Sequence, residues 1–267
     1  TRPGMADYLR SSRSAYYAVV AALPLLLAYE LLLMLAGSDG RWQVRNAGDV
    51  WLRMLLASLE VRPAHATLAM IFVLLLAIPL LRRGHTPLRL RYYGLMVAEA
   101  FAYSLVLGLL INIILEFIFS AIPSSILSRS LIPLGLLHGG VLHGGVLHGA
   151  LPALATPIAS GPAQGLALSL GAGLFEEFIF RVLLLGGLLL LTRLVLPHHL
   201  ASVVAIVLAA LLFSAAHYVG PLGDRFAFST FLFRFVAGLL FTGLYYLRGF
   251  GVAAYAHAFY DIRVILF

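Results

Sequence analysis

Cysteine and lysine are both absent from this 267-residue chain, and charge of either sign is scarce. Without cysteine there are no disulfides, no thiolate metal sites and no cysteine nucleophile. Charged residues make up 11% of the sequence against 62% hydrophobic, with a mean hydropathy of +1.00. A soluble domain carries about 25% charged residues because its surface must be wetted. So little charge excludes a water-facing surface around a core this apolar. The chain is therefore expected to be all-α, a polytopic bundle of membrane-spanning helices.

All 18 basic residues are arginine, which reads as a GC-rich coding bias and hence a prokaryotic source. The formal net charge of +7 does not point to nucleic acid, because the arginines fall mostly at the ends of apolar segments. That is where the positive-inside rule places them, and a multi-pass protein of the cytoplasmic membrane is expected.

The first apolar segment, 15–36, follows Arg10 and Arg13 and is longer than a signal-peptide core, so it reads as an uncleaved signal-anchor. NAGDVWLRMLLASLE then predicts a short interfacial helix, capped by Asn46 or Asp49. Further spans are expected over 64–81, 93–122, 163–196, 200–217, 228–247 and 251–267. Segment 131–155 is apolar but glycine-rich, and leaves the count at seven or eight. A Gly186-Gly187 pair is a candidate bend in the 163–196 helix. Residues 1–160 read as N-terminal membrane helices and loops, and 161–267 as a catalytic helical core.

Charged side chains at mid-membrane cost about 2.5–3.5 kcal/mol each on insertion scales, so they persist where partners or water receive them. The last four spans hold Glu176, Glu177, Arg181, His217, Arg234, His257 and Asp261. Glu177 and Arg181 stand at i and i+4, the favourable order for a helical ion pair. Glu176 lies about 100° round the helix from its neighbour, lacks that pair, and is a candidate general base. His257 and Asp261 repeat the i, i+4 spacing, so the acid can orient the ring or stabilise its protonated form. His217 closes the apolar run LLFSAAH.

These residues limit the chemistry. No His-Glu pair supplies a zinc HExxH motif, Gly223-Asp224 lacks the glycine of a GxGD motif, and no serine sits in a GxS setting. Water activated by a carboxylate and a histidine remains as the nucleophile.

EEFIFR (Glu176 to Arg181), FSAAH (Phe213 to His217) and HAFYD (His257 to Asp261) follow one another on three spans. Together they resemble the EExxxR, FxxxH and HxxxN/D motifs of the CPBP family, the CAAX proteases and bacteriocin-processing enzymes also called the Abi family. The resemblance covers about 161–267 and implies a glutamate-type intramembrane endopeptidase without a metal or other cofactor. By similarity, Glu176 and His217 would activate water, Glu177 and Arg181 would support that carboxylate, and His257 with Asp261 would stabilise the oxyanion. The chain departs from the eukaryotic pattern in carrying Asp261 where that pattern has asparagine. An ionised aspartate cannot donate to an oxyanion, so Asp261 is expected to orient His257, which donates alone.

Membrane lipid and a peptide or protein substrate are the expected partners. A metal-dependent membrane hydrolase using the same residues is one alternative, and a transporter or immunity scaffold another. His138, His143 and His148 recur every five residues, a period that converges on no metal. Glu30, Asn112 and Glu116 are candidates to line a cavity. Glu99 is expected near the interface, and Arg234 is expected to pair with one of these acids (Glu30, Glu99 or Glu116) or snorkel.

Overall fold

The computed structural model of the chain describes residues 4–36, 45–82, 88–121, 161–220 and 223–266. Every regular element among them is helical: α1 (Met5–Ser12), α2 (Ala15–Ala36), α3 (Ala47–Ser58), a 3₁₀ turn (Pro63–His65), α4 (Ala66–Leu81) and α5 (Leu90–Ala121). A continuous helical run follows over 162–193. It comprises α6 (Pro162–Gly171), π-helical stretches Ala172–Glu176 and Phe178–Leu184, and α7 (Leu185–Arg193). The series ends with α8 (His198–Ala216), α9 (Phe228–Arg248) and α10 (Phe250–Leu266).

Among the described residues five helices are long and apolar enough to cross a membrane: Ala15–Ala36, Pro63–Leu81, Leu90–Ala121, His198–Ala216 and Phe228–Arg248. The other two expected spans are helical as well: 162–193, and Phe250–Leu266 with 17 residues. Segment 131–155 and the three repeated histidines lie outside the described residues. α4 shows how such helices face lipid. Only 11% of its apolar window is buried, and Phe72, Leu75, Leu76 and Leu80 are all exposed. In water that surface would aggregate, whereas in hydrocarbon it is solvated and the helix satisfies its own backbone polar groups. Pro24 and Pro79 sit inside α2 and α4, as membrane helices tolerate.

The described residues group into two compact units. One lies within Thr1–Ser104, Ala159–Val182 and Leu244–Phe267, the other within Leu105–Ile158 and Leu183–Gly243. In the first unit α2 packs along both α6 and α4, and α10 packs against α6 and the first π-helical stretch. Small residues allow that closeness, as is usual where apolar lipid gives helices no hydrophobic drive to associate. A Cβ on Gly173 would stand 2.3 Å from the Ala254 carbonyl oxygen, and one on Gly251 would stand 2.8 Å from the Met96 sulfur.

Two charge clusters pin this unit. Arg45 bridges both oxygens of Glu30 and reaches Asp49 at 2.9 Å, while Arg53 reaches Asp49 at 2.7 Å and Glu30 at 2.6 Å. Tyr29 and Thr67 donate to the same two acids. Burial alone would pull the Arg45 guanidinium down, but the Glu30 and Asp49 carboxylates more than reverse this and hold it above the ordinary arginine range. Glu30 is thus committed to a structural network tying α2 to α3 and α4. In the second cluster Glu99 receives Arg248 and the Tyr8 hydroxyl.

In the second unit Arg234 pairs with Asp224 and stacks over Tyr218, so it neither snorkels nor takes one of the three acids expected; the acid in the connection just before its own helix is nearer. Glu116 is exposed and Asn112 half-buried. Gly186-Gly187 lies within regular α-helix (α7), and the departure from α geometry comes earlier, at Ala172.

Candidate functional site

The glutamate pair sits where the 162–193 run leaves α geometry: Glu176 ends one π-helical stretch and Arg181 lies in the next. π-Turns are rare and occur mainly as local bulges at functional positions. The even 100° stepping expected of an α-helix therefore does not apply here, yet the two carboxylates still diverge to different partners.

Glu177 is fully buried. Its Oε2 lies 3.1 Å from the Arg181 Nε, with Arg181 itself 1% exposed. Its Oε1 lies 2.7 Å from the His257 Nδ1. A carboxylate can only accept, so the ring donates from Nδ1 and presents Nε2 on its far side. There Asp261 Oδ2 stands 3.7 Å from Nε2, an ion-pair separation too long for a hydrogen bond. This differs from the expectation that Asp261 orients the ring. The hydrogen bond that does so comes from Glu177, which reaches across from another helix, while Asp261 is one turn along His257's own helix with a side chain 30% exposed.

Glu176 turns toward α3. Its Oε1 accepts from the Asn46 side-chain amide at 2.8 Å, while the Asn46 Oδ1 accepts from the Gly48 N–H, also at 2.8 Å, as the N-cap of α3. The capping role was legible in the sequence, but the bond to Glu176 was not. α3 also docks on this helix through Trp51 against Phe180 and through Gly48, whose Cβ position would lie 2.9 Å from that of Phe175. The first unit thus brings together five of the six residues singled out in the sequence, and adds Asn46.

The sixth, His217, belongs to the second unit, at the C-cap of α8. Its Nδ1 lies 2.9 Å from the Phe213 carbonyl oxygen, one turn back. A carbonyl accepts, so the proton is on Nδ1 and Nε2 is the basic nitrogen, the tautomer a general base requires. Edge-on packing against Phe213 and a hydrogen bond from the Asp224 N–H to the His217 carbonyl hold the residue in place.

An apolar cavity of about 810 Å³ lies within the first unit. Leu174, Phe178 and Val182 of the glutamate-bearing helix line it together with α2, α4 and Tyr245, and Arg13 is its one charged lining residue. Among the described residues no group of three or more histidines and acids is arranged to hold a metal ion.

No curated protein and no solved structure matches the chain. A family model does match: that of the type II CAAX prenyl endopeptidase Rce1-like proteins, over residues 158–263. That stretch contains all three motifs, every charged residue of the cluster around Glu177, and His217. With its lipid-facing helices the chain is an integral membrane protein, and its residues 158–263 are similar to the CAAX protease family.

Proposed function

We propose that the chain is an intramembrane endopeptidase in which a water molecule, activated by Glu176 and His217, attacks a peptide carbonyl. The water oxygen forms the new bond to carbon as its proton passes to the base. The C–N bond then breaks, and the proton returns to the departing amine. The observation that carries this reading is the buried Arg181–Glu177–His257 chain, with contacts of 3.1 and 2.7 Å. An ion pair of this kind costs desolvation energy and is weak evidence for stability alone. What it supplies is a fixed imidazole whose Nε2–H, when protonated, can donate to the oxyanion that forms on the carbonyl. Glu177 compensates that charge, and Asp261 adds to it at longer range.

The apolar cavity suits the hydrocarbon portion of a substrate, and the family's name supplies a first candidate, a prenylated CAAX peptide. The all-arginine composition supports a prokaryotic cytoplasmic membrane as its home.

The test is a comparison of membrane peptides from cells expressing wild type or Glu176→Gln at equal levels. At least one cleavage should be present with wild type and absent with the variant. Identical peptide sets from two folded proteins would contradict the reading.

A further inference from the structure

Asn46 lies well outside the 158–263 stretch that carries the family motifs, yet it makes the direct contact to Glu176. Its amide is read without ambiguity. The Gly48 N–H can only donate and the Glu176 carboxylate can only accept, so Oδ1 must face the glycine and Nδ2 the acid. The residue is also held from behind. Its backbone N–H donates to the Tyr29 hydroxyl, Tyr29 donates to Asp49, and Asp49 is clamped by Arg45 and Arg53.

Glycine lets it approach. A Cβ on Gly171 would stand 2.9 Å from the Asn46 Cβ and 2.8 Å from the Tyr29 ring. Asn46 itself is 8% exposed, so this donor is largely shielded from competition by water.

Resting on the reading that Glu176 is the base, we infer that Asn46 is a positioning residue for it. By holding Oε1, the amide fixes the rotation of the carboxylate and so the direction in which Oε2 points. α3 is then part of the site rather than a passive interfacial helix, and the Arg45–Arg53 network is its mounting. The side chain must donate on one face and accept on the other. Serine and aspartate match asparagine as N-caps. Serine is too short to reach the acid, and an ionised aspartate meets it with like charge.

The experiment uses the full chain in phospholipid nanodiscs. The chain has two asparagines, Asn46 and Asn112. With ¹⁵N-asparagine, the Asn46 side-chain amide resonance should move in Glu176→Gln while that of Asn112 stays in place. This reads the wild-type contact without altering Asn46, and an unmoved Asn46 resonance overturns the inference whatever else is seen.

Asn46→Ser and Asn46→Asp are then assayed on a farnesylated CAAX peptide. Melting of Asn46→Ser should stay close to wild type because the cap is kept, while Asn46→Asp should melt lower from the like charge beside Glu176. In Asn46→Ser kcat should fall about tenfold or more with KM within about twofold, the loss of one hydrogen bond to a charged group. Asn46→Asp should be lower still. Unchanged kcat in a folded Asn46→Ser also overturns the inference. If the resonance moves but wild type cleaves no peptide, the contact stands and the protease reading is what fails.

Discussion

Two groups of buried charge lie in the same unit and differ in their make-up. Around α3, Arg45 and Arg53 face Glu30 and Asp49, two cations against two acids, with Tyr29 and Thr67 donating further hydrogen bonds. Around the π-helical stretches, Glu176, Glu177 and Asp261 stand with Arg181 and His257, three acids and two basic groups among the contacts described. The first group is neutral and saturated, which suits a rivet. The second is built around a histidine held between two acids, where a proton can be kept or passed on. A buried charge pair by itself is poor evidence of function. The histidine is what distinguishes the second group.

The largest effect expected is from Glu177→Ala. It strands Arg181 and His257 without their shared acid, at a cost of about 3–5 kcal/mol. Thermal unfolding in nanodiscs should show that loss, and cleavage should be abolished with it. Asp49→Ala should destabilise by less, since Arg45 and Arg53 keep Glu30 and lose only their second acid, while the Tyr29 hydroxyl loses its acceptor. Turnover per folded molecule should fall no further than in Asn46→Ser, because the contacts to Glu177 and His257 are untouched and only the mounting of Asn46 is loosened. Equal loss of turnover in both variants would erase the comparison. Asp261→Asn should have the smallest effect, less than about tenfold on kcat and little on melting. Its carboxylate is 3.7 Å from the ring and partly exposed, so it lacks the desolvated hydrogen bond that makes a charge contact strong. A loss from Asp261→Asn matching that of Glu177→Ala would instead make Asp261 the acid that governs His257.

Much of this was legible in the sequence where spacing along one helix decides contact. The apolar runs mark the helices, Glu177 and Arg181 pair at i, i+4, and of the two expected caps of α3, Asn46 and Asp49, Asn46 is the one used. Contacts between distant segments were not legible. Nothing in the spacing ties His257 to a residue 80 positions earlier or Asn46 to one 130 positions later. Local pattern favoured Asp261 as the partner of His257 because it shares a helix. Tertiary packing, through the close approach of Gly173 to Ala254, brings Glu177 nearer. The π geometry has no marker in residue type. The small residues Gly48, Gly171 and Gly173 were the one available sign that α3 and α10 press close to this helix.

The central claim is that Glu176 performs chemistry and does not hold the fold together. The direct measurement is turnover of a farnesylated CAAX peptide by purified wild type and Glu176→Gln, with melting recorded on the same samples. The account predicts a fall in kcat of about a hundredfold or more, the usual share of a general base, with melting close to wild type. A Glu176→Gln protein that is folded and cleaves at the wild-type rate would contradict it.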